Sequence, residues 1–282
     1  MIAVVDYQKG NLKSVERGLI AAGGEAFITA DAFEIAKADA IVLPGVGAFA
    51  DAAATMCELG QMEAIRDRVR TGVPFLGICL GEHLMFEHGV EGAPEGNPAC
   101  GLGLLPGTVV AMPRYDAQGK TFKVPHVGWN TIEMPSCNGG VTVPPCGEGG
   151  GNAVLSSGGA GGGAARSSAA KRGLFEHGAF PGSAPQVGSE LAFPDSTPQP
   201  ESNLAFACPL FDGIAPGEYF YFTHSFIAPT GSHTIAETTH SVRFTSAVQF
   251  GERAFGVQFH PEKSSDAGAR VLANFVAIAA RG

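Results

Sequence analysis

One cysteine in the sequence has neighbours that suit a nucleophile. The pentapeptide Gly77–Gly81, GICLG, has the pattern G-x-C-x-G and follows the apolar run Val73–Ile78. In strand-turn-helix segments of this kind, a sharp turn exposes one nucleophilic side chain at the edge of a sheet. Glycine suits both flanking positions because a side chain there would collide with the adjoining strand and helix. The pattern predicts a thiol nucleophile at Cys79, although a structural cysteine between two packing glycines would give the same five residues.

A histidine and an acid near the C-terminus provide the other groups that a thiol nucleophile needs. His260 and Glu262 flank a proline directly after Ala254–Phe259, a run that favours a strand. A thiol requires a base that accepts its proton and a third group that orients the base. Because side chains at the ends of parallel strands meet at one sheet edge, we expect both residues near Cys79. An ordinary turn with an exposed histidine and acid is the alternative, and the G-x-C-x-G pattern argues against it.

The order of strands and helices predicts the fold that would position these groups. Apolar runs that suit buried strands alternate with segments of helical spacing in the first eighty or so residues. The expected strands are Ile2–Asp6, Glu25–Thr29, Ala40–Leu43 and Val73–Ile78, and the expected helices are 12–22, a short one capped by Asp31, and 50–70. This order is typical of βαβ units. We therefore predict an α/β fold with a mostly parallel central sheet flanked by helices.

The second half of the sequence predicts further strands, of which 104–112 and 122–132 indicate a small antiparallel extension. Strand-like segments cover 104–112, 122–132, 219–227, 241–250 and 254–259, and a closing helix is expected over 266–280. The third of these segments, YFYFTHSFI, favours a strand because it is rich in aromatic residues.

The segment 136–203 differs in composition from the rest of the chain. It is rich in glycine, serine and proline, with GGG runs at 149–151 and 161–163. Such a segment buries too little apolar surface to offset the entropy lost on ordering. We expect a disordered surface insertion that interrupts a single domain spanning 1–282.

Charge and cysteine content narrow the class of protein. The net charge of -9 and the pI of about 5.3 give no indication of binding to nucleic acid or to a membrane surface. The N-terminus lacks the features of a signal peptide, and no apolar stretch reaches the ~18 residues of a membrane-spanning helix. The six cysteines include no C-x-x-C pair. We expect reduced thiols in a cytoplasmic protein, without a zinc site or other metal.

GICLG together with FHPE resembles the class I, or triad, glutamine amidotransferases, which have a flavodoxin-like architecture. Three further segments narrow the resemblance, namely DYQKGNLKSV (Asp6–Val15), PGVGAF (Pro44–Phe49) and PHVGWN (Pro125–Asn130). With YFTHSF and FHPEKS, they are similar to the glutaminase subunits of imidazole glycerol phosphate synthases, enzymes of histidine biosynthesis. The resemblance covers the chain except for the expected insertion.

The resemblance implies a Cys-His-Glu triad that hydrolyses glutamine through a thioester. Cys79 would attack the side-chain amide, His260 would carry a proton to the leaving ammonia, and Glu262 would hold the imidazole. Backbone N–H groups of the oxyanion hole would come from Val46, Gly47 and Leu80. Contacts to bound glutamine would come from Gly45, Gly81, His83, His224 and Ser225.

The resemblance also implies a partner that consumes the ammonia. In this family the ammonia passes through a channel to a separate (β/α)8 cyclase subunit, which makes imidazole glycerol phosphate and an aminoimidazole carboxamide ribotide (AICAR). The two chains form a heterodimer, and Trp129 and Asn130 would belong to the interface. No metal or organic cofactor is implied.

Two residues after the nucleophile depart from the family pattern. The family has a small apolar residue and then a glutamine that contacts the substrate, whereas this chain has Glu82 and His83. Because an imidazole titrates at about pH 6.5, we expect weaker and more pH-dependent binding of glutamine. We expect Glu82 to point away from the site.

Two other functions stay open at this point. The chain could be the glutaminase of another synthase, such as those for GMP, anthranilate or pyridoxal phosphate, although PHVGWN argues against this. It could also be a non-catalytic regulatory or scaffold subunit whose site is spoiled by Glu82 and His83. The presence of Cys79, His260 and Glu262 argues against that second alternative.

Overall fold

The structure is a computed structural model that describes residues 1–135, 206 and 208–281. The predicted insertion at 136–203 therefore lies outside the described residues. The strands are β1 (Ile2–Val5), β2 (Ala26–Thr29), β3 (Ala40–Gly45), β4 (Phe75–Cys79), β5 (Phe86–Gly89), β6 (Ala99–Cys100), β7 (Leu105–Ala111), β8 (His126–Thr131), β9 (Tyr219–His224), β10 (Phe226–Ile227), β11 (Thr234–Thr239), β12 (Arg243–Phe250) and β13 (Ala254–Val257). The α-helices are α1 (Leu12–Ala21), α2 (Ala32–Lys37), α3 (Phe49–Glu58), α4 (Gln61–Arg70), α5 (Leu80–His83) and α6 (Ser265–Ala280), and 3-10 helices cover Pro209–Phe211 and Pro261–Lys263.

A seven-stranded sheet forms the centre of the described chain, in the order β11-β12-β13-β4-β3-β1-β2. The five strands from β13 to β2 are parallel, and β12 and β11 continue the sheet antiparallel. All residues of β1, β3, β4 and β13 are buried, as expected for strands covered on both faces. The predicted mostly parallel α/β architecture is confirmed.

Helices cover the sheet on both faces and form a separate apolar core with each. On one face, Leu19 of α1 and Phe275 of α6 pack in the same buried cluster. On the other face, Met56 of α3 and Ile65 of α4 belong to a second buried cluster. The described residues all belong to one compact unit, and no helix among them is both long and apolar enough to cross a membrane.

Two smaller sheets lie outside the central sheet, and their antiparallel pairs β10–β7 and β8–β9 contain the two segments predicted for the extension, whereas β5 and β7 pair parallel. One has four strands in the order β10-β7-β5-β6, and the other is the antiparallel pair β8–β9. In that pair, His126 lies opposite His224 and Trp129 lies opposite Tyr221. The pair thus carries residues from both PHVGWN and YFTHSF.

The structure differs from the sequence expectation in several elements, and β5 and β6 are strands that were not predicted. The single helix predicted over 50–70 is divided into α3 and α4 at Gly60, whose φ of +68° lies in the left-handed region that ends helices. Strand β11 was not predicted because its sequence, TIAETT, is mostly polar. It is nonetheless largely buried, since Thr234 bonds to Thr245 and Thr238 donates to the Thr131 carbonyl.

Candidate active site

Cys79 occupies a strained turn between β4 and α5, as the sequence predicts. Its φ of +54° is in the left-handed region, where a side chain other than glycine is disfavoured. A Cβ at Gly77 would lie 2.5 Å from the Gly81 carbonyl oxygen, and one at Gly81 would overlap the carbonyl oxygen of Leu43. The two glycines therefore let strand and helix approach closely enough to hold Cys79 in this conformation.

His260 and Glu262 form a buried pair at the same edge of the sheet. β13 is parallel to β4, with Val257 opposite Ile78, so the chain after each strand emerges at one edge. Nδ1 of His260 donates to Oε1 of Glu262 over 2.9 Å, and both side chains are almost fully buried. Nε2 of His260 is buried and makes no hydrogen bond of standard geometry with the described residues.

The sulfur of Cys79 acts electrostatically on this imidazole. Burial lowers the pKa of His260, but the neighbouring Cys79 sulfur and the Glu262 carboxylate together outweigh burial and raise that pKa to about 9. Because Glu262 occupies Nδ1, the nitrogen left to exchange a proton is Nε2. The arrangement provides the acid–base partner that a thiol nucleophile needs.

Two further groups contact the sulfur. The Sγ atom lies 3.9 Å from the carbonyl oxygen of Thr223, and the side-chain amide of Gln258 donates to it over 3.7 Å. Gln258 is completely buried.

A cavity of about 400 Å³ opens beside the sulfur. Seven of the predicted site residues line it, namely Val46, Gly47, Cys79, Leu80, His83, His224 and Ser225. Other lining residues are Ala48, Glu91, Pro125, Thr223 and Phe226. A larger cleft of about 600 Å³ lies at the opposite edge of the sheet, between Met1 and Pro74, and contains none of the predicted groups.

The loop after β3 brings the predicted oxyanion residues to this cavity. Val46 is 42% exposed, and Gly47 has a φ of +101°, which a residue with a side chain rarely adopts. Burial raises the pKa of Tyr7, while the nearby backbone N–H of Val46 lowers it in part. The N–H of Val46 thus lies near the hydroxyl group of Tyr7, and its role as an oxyanion donor stays a prediction that requires this peptide to turn.

Gly45 and Gly81 do not line the cavity. A Cβ on Gly45 would lie 2.9 Å from Cβ of Leu80 and would overlap the hydroxyl of Tyr7. Both glycines permit close packing around the nucleophile, and their contacts to glutamine stay predictions.

The two residues that depart from the family pattern face different surroundings. His83 lines the cavity, and its Nε2 bonds to Oε1 of Gln258 over 2.7 Å. Burial lowers the pKa of His83 to about 4, although the bond to Gln258 raises it in part. Glu82 is absent from the cavity lining, as expected, and packs beneath Gly256 with no hydrogen-bond partner for its oxygens among the described residues.

A chain of hydrogen bonds connects the cavity to the surface of the β8–β9 pair. Nδ1 of His224 donates to the Phe226 carbonyl over 2.8 Å, so Nε2 of His224 accepts from Nδ1 of His126 over 3.0 Å. Nε2 of His126 in turn accepts from the side-chain amide of Asn130 over 3.3 Å. Burial lowers the pKa of both imidazoles, to about 4 for His126 and well below the usual value for His224.

Gln258 and His126 were not predicted as site residues from the sequence. Gln258 lies two residues before His260, and alternation along an extended chain places both on one side, so this spacing could have revealed it. His126 belongs to PHVGWN, but a lone histidine gives no sign that it faces another across a strand pair. Trp129, predicted at the partner interface, is 51% exposed, and its interface role stays a prediction.

Comparisons with known proteins identify the family of this chain. A sequence model of the family "Glutamine amidotransferase class-I" matches residues 3–137 and 193–279. The imidazole glycerol phosphate synthase subunit HisH of Moorella thermoacetica is 34% identical over 97% of this chain and 93% of its own length. The HisH subunit of Thiobacillus denitrificans is also 34% identical, over 98% of this chain and 90% of its own length.

Solved structures agree on the fold. A crystal structure of a glutamine amidotransferase superposes with a TM-score of 0.55 at 15% identity, covering 99% of this chain and 100% of the other. The structure of PurLQS from Thermotoga maritima gives a TM-score of 0.53 at 15% identity, over 98% of this chain and 97% of the other. The chain belongs to the class-I glutamine amidotransferase family, in the group of the imidazole glycerol phosphate synthase HisH subunits.

Proposed function

We propose that this chain is the glutaminase subunit of an imidazole glycerol phosphate synthase. It hydrolyses glutamine to glutamate and ammonia and delivers the ammonia to a separate cyclase subunit in histidine biosynthesis. The observation that carries the proposal is the meeting of Cys79 with the His260–Glu262 pair beside a cavity. Similarity to HisH subunits over nearly the whole chain identifies the synthase.

In the first half of the reaction, the sulfur of Cys79 attacks the side-chain carbonyl carbon of glutamine. Nε2 of His260 takes the thiol proton and gives it to the amide nitrogen as the carbon–nitrogen bond breaks. Ammonia leaves, and a γ-glutamyl thioester remains. Glu262 supports this role because its bond to Nδ1 keeps Nε2 free and stabilises the imidazolium.

In the second half, water replaces ammonia in the cavity. His260 removes a proton from the water, the oxygen attacks the thioester carbon, and the carbon–sulfur bond breaks. Glutamate leaves, and Cys79 and His260 return to their starting states. No step requires a cofactor.

Backbone N–H groups of Val46, Gly47 and Leu80 are proposed to hold the oxyanion in both halves. Removal of one oxyanion-hole donor by mutation raises the barrier by about 3–4 kcal/mol. The left-handed conformation of Gly47 supports a peptide that can turn towards the cavity. His83, His224 and Ser225 are proposed to contact the rest of the glutamine molecule, as their positions in the cavity lining support.

The partner is proposed to dock on the β8–β9 pair. Its exposed side carries Val127, Trp129 and Tyr219, each more than half exposed, with Tyr221 packed edge-on against Trp129. We call these four residues the aromatic face. Aromatic residues of this kind are enriched at protein interfaces. The hydrogen-bonded series Asn130–His126–His224 lies on the other face of the same strand pair and ends at the cavity.

A single domain is proposed to carry the activity. The family match has two parts, 3–137 and 193–279, and the break between them falls within the predicted insertion at 136–203. This division supports one catalytic domain interrupted in sequence.

A glutaminase assay tests the proposal. The chain is mixed with the cyclase subunit and its ligand, and glutamate is measured with and without the cyclase. We expect glutamate formation that depends on the cyclase, is abolished in Cys79→Ala and is retained in Cys57→Ala, which removes an exposed cysteine on α3. No glutamate under any condition would favour a non-catalytic subunit, and activation by a different synthase would assign another acceptor.

A further inference from the structure

Gln258 bridges the nucleophile and the residue that departs from the family pattern. It lies between the end of β13 and His260, and it is completely buried. Its side-chain nitrogen is 3.7 Å from the Cys79 sulfur, and its side-chain oxygen is 2.7 Å from Nε2 of His83. The side chain therefore contacts the reacting atom and has one further partner.

The chemistry of these groups fixes the direction of both hydrogen bonds. An amide oxygen only accepts, so His83 must carry its proton on Nε2 and donate to Gln258. Burial keeps His83 neutral, because it lowers the pKa to about 4. A neutral imidazole has one N–H, and in this tautomer Nδ1 is left as an acceptor.

The opposite orientation of the amide would place its oxygen against the sulfur. When the sulfur is a thiolate, two acceptors would then face each other, which is unfavourable. The rotation would also require the proton of His83 to move from Nε2 to Nδ1, so this tautomer and the observed orientation of the amide support each other. The N–H of Gln258 is thereby held towards the sulfur.

We propose that Gln258 is a further catalytic residue, which donates a hydrogen bond to the Cys79 thiolate, and that His83 is the positioning residue that orients it. The inference deepens the proposed function and rests on it. The thiolate forms when His260 takes the thiol proton and forms again when the thioester carbon–sulfur bond breaks. In both steps Gln258 stabilises negative charge on sulfur without giving up a proton.

Alkylation of Cys79 by iodoacetamide tests the donor in the intact chain. Rates are measured from pH 5 to 9 by mass spectrometry of the Cys79 peptide, with exposed Cys57 as the internal reference for the reagent. Gln258→Met keeps the length of the side chain and removes the donor. Because a hydrogen bond to a charged group is lost, we expect Cys79 to react roughly tenfold more slowly near neutral pH. We also expect the midpoint of its pH profile to move upward by about one pH unit, since tenfold in an equilibrium corresponds to one unit.

Gln258→Met removes no titratable group from the surroundings of the sulfur. The titratable residues that line the cavity or act on the sulfur are Tyr7, Glu82, His83, Glu91, His224, His260 and, through His260, Glu262. Gln61→Leu is the matched control, because Gln61 is also fully buried and donates to two carbonyl groups away from the sulfur. We expect Gln61→Leu to leave the Cys79 profile unchanged. An unchanged profile in Gln258→Met would overturn the proposal.

His83→Leu tests the positioning role. If His83 acts through Gln258, His83→Leu slows alkylation as Gln258→Met does, and the double variant is no slower than Gln258→Met alone. If the alkylation rate of the double variant falls by the product of the two single-variant factors, the positioning role of His83 is overturned. Should Gln258→Met not fold, as judged by thermal unfolding, His83→Leu and the shorter Gln258→Asn provide the same test, and a wild-type profile in both would overturn the proposal.

The assay contains neither glutamine nor a cyclase subunit. A chain that shows the alkylation shift but no glutaminase activity would contradict the proposed function and leave the hydrogen bond to the sulfur standing. A chain that is an active glutaminase without the shift would contradict only the inference about Gln258.

Discussion

Glu82 is a carboxyl group that the fold buries without a partner among the described residues. Burial, and then the nearby Cys79, raise its pKa well above the usual value for glutamate. A carboxyl group whose pKa is raised by folding contributes most to the free energy of unfolding at low pH, where it is protonated. That contribution is lost as the pH rises from the pKa of this group in the unfolded chain to its pKa in the folded chain. The cost of Glu82 therefore grows from about pH 4.5 upward.

Replacing Glu82 with an apolar residue should remove this cost. We expect Glu82→Met to raise the free energy of unfolding more at pH 8 than at pH 5, by up to about 1.4 kcal/mol for each pH unit. Urea unfolding at the two pH values measures the difference. The control is Glu95→Met, in an exposed loop, for which we expect little change. An equal gain at both pH values for Glu82→Met would contradict the argument.

The burial of His83 argues against the expectation of pH-dependent glutamine binding. The sequence alone suggests an imidazole that titrates near neutrality, but burial lowers its pKa to about 4. Lowering by burial means that the neutral form persists until the pH falls close to that value. His83 is therefore neutral over the range in which enzymes of this kind are assayed.

The pH dependence of KM for glutamine checks this. We expect the profiles of the unmodified chain and of His83→Gln to have the same shape between pH 6 and 9, because neither residue changes charge there. The comparison uses glutaminase activity with the cyclase subunit bound. A step near pH 6.5 in the unmodified chain that His83→Gln removes would restore the expectation drawn from sequence.

At the scale of elements, the turn between β4 and α5 decides whether the nucleophile is correctly placed. A Cβ at Gly81 would overlap the backbone of Leu43, which belongs to a fully buried strand and cannot move aside without moving the sheet. Gly23, by contrast, has a left-handed φ of +88° and open space around its Cβ position. Glycine is therefore required at position 81 for lack of space, whereas at position 23 it is required only for the backbone conformation.

Alanine at these two glycines should therefore have different consequences. We expect Gly81→Ala to destabilise the chain by ~1–3 kcal/mol through overpacking and to slow alkylation of Cys79. Gly23→Ala should cost ~1–2 kcal/mol for its left-handed backbone and leave Cys79 unaffected. Chemical unfolding and the iodoacetamide rate are the two measurements, and equal alkylation in both variants would contradict the steric argument.

The elements that sequence predicted well are those with a simple physical signal. β1, β3 and β4 are continuous apolar runs buried on both sides, and the G-x-C-x-G turn has steric requirements that only glycine meets. The sequence of β11 has no apolar run, because its buried positions include threonines whose hydroxyl groups form hydrogen bonds with other elements. Likewise, the positions of Cys79 and His260 followed from strand order, whereas the bond from His83 to Gln258 depends on side-chain orientation over 175 residues of sequence.

At the scale of the whole molecule, the aromatic face is the surface proposed to meet the cyclase. Trp129→Ala should weaken the complex by ~2 kcal/mol or more, since large aromatic residues at the centre of an interface contribute most of its energy. Isothermal titration of the two subunits measures this. The matched control is Phe33→Ala, because Phe33 is 65% exposed on α2, beside the opposite edge of the sheet. Equal affinity for Trp129→Ala and the unmodified chain would place the interface elsewhere.

The hydrogen bonds that join His224, His126 and Asn130 all run in one direction, and the buried end of this series sets that direction. A neutral ring has a single hydrogen, so the Phe226 carbonyl determines which nitrogen of His224 bears it, and that choice is passed outward through His126 to Asn130. No link can be inverted alone. At the outer end, the Thr239 carbonyl and the Thr131 N–H hold the Asn130 amide in the orientation that the rings require. Reversing the series would therefore break backbone contacts at the surface as well as move a proton on each ring.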